Sequence, residues 1–90
     1  MEIKSYSRVS VNNANEKRGE VIFTKPDLIV VNPFQVLSIE SYNLNGKDLF
    51  EVNGKESQEV FCIMFSNKRM FIDKKDRMRL AEVLDLTVKQ

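Results

Sequence analysis

Residues 59–65 read Glu59-Val60-Phe61-Cys62-Ile63-Met64-Phe65, and both alternating registers are apolar: Val60, Cys62 and Met64 in one, Phe61, Ile63 and Phe65 in the other. Successive side chains of a strand point to opposite faces, so a strand with this pattern is buried on both. The fold must therefore place cover on each side of residues 60–65. Ser66-Asn67-Lys68-Arg69 offers a polar turn after it, and Met70-Phe71-Ile72 returns as a second apolar run, which predicts a hairpin.

Beyond that hairpin, Asp73 stands where a helix needs an N-cap, and Leu80, Ala81, Val83, Leu84 and Val88 form one stripe at helical spacing while Arg79, Glu82 and Asp85 face the other way. The spacing predicts an amphipathic helix over about 74–88. One helix covers one face of a sheet. The other register of 60–65 needs a second cover, either a curled or barrel-like sheet or another subunit.

Working back toward the N-terminus, residues 3–11 alternate, with Ile3, Val9 and Val11 against Lys4, Tyr6 and Arg8, as a half-exposed edge strand does. Residues 12–19 have no periodicity and are rich in turn formers, which predicts a mobile loop. Val21-Ile22-Phe23-Thr24 and Leu28-Ile29-Val30-Val31 flank Lys25-Pro26-Asp27, a hairpin signal. Asn32-Pro33-Phe34-Gln35 suits a type I turn, and a strand over 36–42 follows, with Leu37, Ile39 and Ser41 opposite Val36, Ser38 and Glu40. Asn45-Gly46 and Asn53-Gly54 bracket a further apolar run, and Asn-Gly supplies the positive φ angles of tight hairpins. The expected fold is α+β and mostly β: an antiparallel meander of six or seven short strands, open or barrel-like, with one C-terminal helix packed on it, in a single domain spanning 1–90.

Composition narrows function more than it identifies it. The chain has 42% hydrophobic and 30% charged residues, which fits a folded globular protein and excludes a disordered tail. A net charge of +1 gives no global field toward nucleic acid or anionic lipid. Histidine is absent, which removes Ser-His and Cys-His catalysis and most zinc sites. Cys62 is the only cysteine and lies in the most apolar strand, so it reads as a small buried hydrophobe in a reducing, cytoplasmic setting. No run approaches the roughly 18 apolar residues of a membrane span, and no secretory signal is present, so a soluble protein is expected.

Glu40, Asp48, Glu51, Glu56 and Glu59 lack the spacing of a cation-binding loop, and the three glycines form no phosphate-cradling motif. No catalytic, cofactor or metal site is therefore expected, nor an enzyme or a small-molecule substrate. The asymmetric feature is the stretch 68–79, where Lys68, Arg69, Lys74, Lys75, Arg77 and Arg79 outweigh Asp73 and Asp76. Lysines at a helix start oppose the macrodipole by about 0.3–1 kcal/mol each, and they can join its N–H groups in holding an anion. These six residues are the candidate contact for an anion or partner, the alternative being a solvated helix face.

Val31-Asn32-Pro33-Phe34-Gln35-Val36-Leu37-Ser38-Ile39-Glu40, then Val60 to Phe65, Ser66-Asn67-Lys68-Arg69, Met70-Phe71-Ile72 and a helix, resemble the FlbD-like family of small flagellar-associated proteins. The shared pattern is Asn-Pro, a strand ending in Ile-Glu, a hairpin and a short helix. The resemblance implies a non-enzymatic regulatory or assembly role and brings no catalytic residues. The expected function is a non-catalytic interaction or assembly module, self-associating through a strand edge or an apolar sheet face. The alternative is a small nucleic-acid-binding regulator using residues 68–79.

Overall fold

The computed structural model describes residues 1–13, 18–23, 25–44 and 48–88. Among the described residues nine strands precede one helix: β1 (Glu2–Ser5), β2 (Arg8–Asn13), β3 (Arg18–Phe23), β4 (Asp27–Val30), β5 (Ser38–Tyr42), β6 (Leu49–Val52), β7 (Lys55–Glu56), β8 (Val60–Met64), β9 (Arg69–Asp73) and α1 (Lys74–Val88). A 3₁₀ turn over Pro33–Gln35 joins β4 to β5. Asn32 caps it by accepting the Phe34 N–H at 3.0 Å, so the expected Asn-Pro turn continues for one further residue.

β8 is the central strand of an antiparallel sheet ordered β5-β8-β9. Its two registers enter two different cores. Ile63 and Phe65, with half-buried Phe61, pack with Met70, Ile72, Ile3, Val31 and Leu80. Val60 and Cys62, with half-buried Met64, pack with Phe71, Tyr6, Phe23 and Phe50. Pairing Ile63 with Met70 and Cys62 with Phe71 carries the same division across to β9. α1 covers the first face through Leu80, whose side chain is fully buried.

The second cover comes from the chain itself, through Phe23 of β3 and Phe50 of β6. Phe23 meets Phe71 edge-to-face at 5.0 Å and Phe50 at 5.7 Å, and Tyr6 meets Phe50 at 4.9 Å. Edge-to-face pairs add about 0.5–1.5 kcal/mol each beyond their buried area. These contacts fill the role for which a barrel or another subunit was the expectation, and the described sheets are not closed into a barrel.

Several local expectations are revised. Residues 3–11 form two strands, because the chain bends at Tyr6-Ser7: β1 pairs with β4, while β2 pairs with β3. Strand pairing extends through Asn13 and resumes at Arg18, which shortens the loop expected over 12–19, and residues 14–17 lie outside the described set. The runs flanking Lys25-Pro26-Asp27 do not form a hairpin. β3 continues beside β6 in parallel and β4 turns away to β1, so the proline turn moves the chain between sheets. Asn53 and Gly54 have φ of 54° and 80° and close the β6–β7 hairpin as expected, whereas the Asn45-Gly46 turn lies outside the described residues. The helix spans the expected residues. Among the described residues no helix is long and apolar enough to cross a membrane.

Candidate interaction surfaces

The start of α1 is held by two buried carboxylates. Asp73 Oδ1 accepts the Asp76 N–H at 3.0 Å, the N-cap geometry its position promised, and Asp73 Oδ2 accepts the Tyr6 hydroxyl at 2.9 Å. Asp76 Oδ2 accepts the Lys4 N–H at 2.8 Å, and its Oδ1 accepts from Arg79 at 2.8 Å. The same Arg79 nitrogen donates to the Glu2 carbonyl at 3.0 Å. Burial pushes the Tyr6 phenol well above its ordinary value, helped by the hydrogen bond to Asp73 and by the negative charges of Asp73 and Asp76.

The β1 ladder explains why these groups meet. Met1 and Val31 exchange both main-chain bonds, at 2.8 and 3.0 Å. Antiparallel pairs alternate, so Ile3–Ile29 and Ser5–Asp27 are the bonded pairs, while the peptide groups of Glu2 and Lys4 point away from β4. There the Asp76 carboxylate and the Arg79 guanidinium stand in for a neighbouring strand, one accepting and one donating. At Tyr6 a real strand takes over, with the Tyr6 N–H donating to the Phe71 carbonyl at 2.8 Å.

The six basic residues singled out in the sequence do not form one patch. Lys68 and Arg69 precede β9 or begin it, Lys74 and Lys75 follow its last residue, and the four strand residues Met70 to Asp73 lie between the pairs, setting them about 15 Å apart. Lys68 lies over the Phe65 ring at 5.6 Å, Arg69 over Phe71 at 5.8 Å and Arg77 over Phe61 at 5.5 Å. Lys74 pairs with Glu59 at 3.3 Å, and Arg79 is committed to Asp76 and Glu2. Lys75 is exposed beside a cleft of about 230 Å³ at the helix start. Asp73 and Asp76 line that cleft too, so acceptors occupy the place where an anion would meet the helix N–H groups.

The carboxylates considered for a cation are spread over three strands and two loops, with Asp48 just before β6 and Glu59 just before β8. Glu51 and Glu56 face each other across β6–β7, Glu40 lies opposite Cys62 on β5, and Glu59 is paired with Lys74. Cys62 is buried, and burial is the largest influence raising its thiol pKa, with Glu40 adding to it and Arg69 opposing it. Phe65 and Phe71, in reach of the basic turn, are buried core residues.

The surface that sequence reading missed is the outer edge of β4. Leu28 is 64% exposed and Val30 79%, though both belong to an apolar four-residue run. Their partners across the ribbon are Lys4 and Glu2, so their peptide groups also point outward, and no other described strand pairs with β4. The sequence shows an apolar run on both registers here, as it does at 60–65. Only the tertiary arrangement leaves one register uncovered.

No family model, curated protein or solved structure matches the chain.

Proposed function

We propose that this chain is a non-catalytic protein-interaction module that self-associates in the cytoplasm through an open strand edge. The observation that supports the reading is β4, where exposed Leu28 and Val30 flank main-chain groups without a described partner. Such edges are templates for another strand, and folded proteins usually blunt them with charge, proline or a covering element. The central sheet offers no equivalent apolar face, because its two registers are filled by the chain's own side chains. An assembly role is also what the resemblance to FlbD-like proteins would imply.

The nucleic-acid alternative is weaker for a physical reason. Phosphate recognition needs several cations free to face one backbone, and here Lys74 and Arg79 are paired while Lys68 and Arg69 lie at the far end of β9. Sedimentation equilibrium between about 5 and 200 µM tests the main reading, on the scale where small interfaces associate. A mass that rises with concentration is expected, and a monomer throughout removes self-association.

A further inference from the structure

We propose that two copies of this chain pair through β4 in antiparallel register centred on Ile29, joining two β1–β4 ribbons into one four-stranded sheet. The inference rests on the self-association reading and specifies its surface and register. The outward peptide groups of β4 belong to Leu28 and Val30, one residue to each side of Ile29. An antiparallel second copy then sets Leu28 opposite Val30 of the second copy, and Val30 opposite its Leu28. Each couple exchanges two N–H···O bonds, so four outward donors and four outward acceptors are satisfied together.

Side chains fit the same register on both faces. On one face Leu28 and Val30 from the two copies form an apolar block of four. Within each copy Lys4 flanks Leu28 and Glu2 flanks Val30, which surrounds the block with charges of both signs. An apolar centre with a charged rim is the usual anatomy of a protein interface. On the other face half-buried Ile29, already packed against the core of Ile3, Ile63 and Leu80, meets Ile29 of the second copy as a non-hydrogen-bonded pair. That is the closer kind of cross-strand neighbour, so the two cores continue into each other.

The other edge of the central region is unsuited to the same arrangement. The middle residue of β5 is exposed Glu40, and a symmetric antiparallel pairing would set it against its own copy. Like charges directly opposite each other destabilise a sheet. β4 has no charged residue between Asp27 and Val31. A four-residue strand pair buries less than the ~800 Å² per partner of a standard interface, so the dimer belongs to the weak, transient class.

Cysteine cross-linking combined with sedimentation tests the register. In Ile29→Cys the two introduced thiols fall at about 4.5 Å between Cα atoms, within disulfide range, whereas in Val30→Cys they sit diagonally and beyond about 7 Å. Under mild oxidation Ile29→Cys should form covalent dimers several-fold faster than Val30→Cys, with the native chain, whose Cys62 is buried, as control. Val30→Pro removes an outward donor without touching the bonds to β1, and Val30→Lys places a charge on the edge. Each should raise the dimer dissociation constant at least tenfold while circular dichroism stays native, and the lysine variant serves if the proline variant misfolds. Dimerisation that persists unchanged in Val30→Lys, or equal cross-linking at positions 29 and 30, overturns the β4 register and leaves self-association standing. A native chain that remains monomeric at 200 µM overturns both.

Discussion

The Tyr6 hydroxyl donates to the same carboxylate, Asp73, that caps α1, at 2.9 Å and across 67 residues of chain. One buried side chain thus fixes the helix start and the bend between β1 and β2. Tyr6→Phe leaves one Asp73 oxygen buried without its donor, which should destabilise the fold by about 1–3 kcal/mol. Asp73→Ala removes both the cap and the tyrosine's acceptor and should exceed it, at about 2–4 kcal/mol. Urea midpoints of the two variants, with the double variant to measure coupling, check the order.

The same tyrosine predicts a loss of stability in alkali. Its pKa is raised in the folded state above the unfolded value of about 10, so folding favours the neutral phenol. The contribution is whole below pH 10 and falls as pH rises from there toward the folded pKa. The difference in unfolding free energy between the native chain and Tyr6→Phe should therefore shrink between pH 9 and pH 11.5. A constant difference would separate the shift from stability.

Asp76 and Arg79 should prove unequal although they form one pair. Asp76 is 4% exposed and also satisfies the Lys4 N–H, so Asp76→Ala strands a main-chain donor and costs about 2–3 kcal/mol. Arg79 is part-exposed and its loss lets water reach the Glu2 carbonyl, so Arg79→Ala costs about 1 kcal/mol. Thermal unfolding of both variants decides, and amide exchange at Lys4 should accelerate in Asp76→Ala alone.

Cys62 should react slowly. Burial and a raised pKa both lower the thiolate population available to a disulfide reagent. Modification by such a reagent at pH 8 should be at least tenfold slower than in urea, where the protein is unfolded.

The nucleic-acid reading makes a separate prediction. With the six cations divided between two ends of β9, binding to DNA or RNA at about 50 mM salt should be weak or absent. Salt-dependent binding that Lys74→Glu with Lys75→Glu abolishes would restore that reading.

Legibility in the sequence followed the range of the interactions. The β8–β9 hairpin, the Asp73 cap, the Asn53-Gly54 turn and the limits of α1 are settled by neighbours within a few residues, and each has a local chemical signature. The Lys25-Pro26-Asp27 turn has one too, but which strands pair across it depends on partners far away: Ile29 with Ile3, and Phe23 with Phe50. Asp76 enters the sequence reading only as a charge set against the basic residues of 68–79, because nothing near it in sequence reveals the Lys4 N–H it accepts. The basic segment misled in the opposite sense, since residues close in sequence are set apart by an extended strand.

Asp76 and Arg79 supply the missing neighbour of β1, and this sets an order of events during synthesis. Lys4 leaves the ribosome 72 residues before the carboxylate it needs. At about 5–20 residues per second the first strand waits roughly 4–15 s with its outer peptide groups unmatched. Throughout that interval residues 2–5 are available to chaperones or to other nascent chains, and synonymous codon changes that slow translation of residues 60–79 should lower the yield of folded protein.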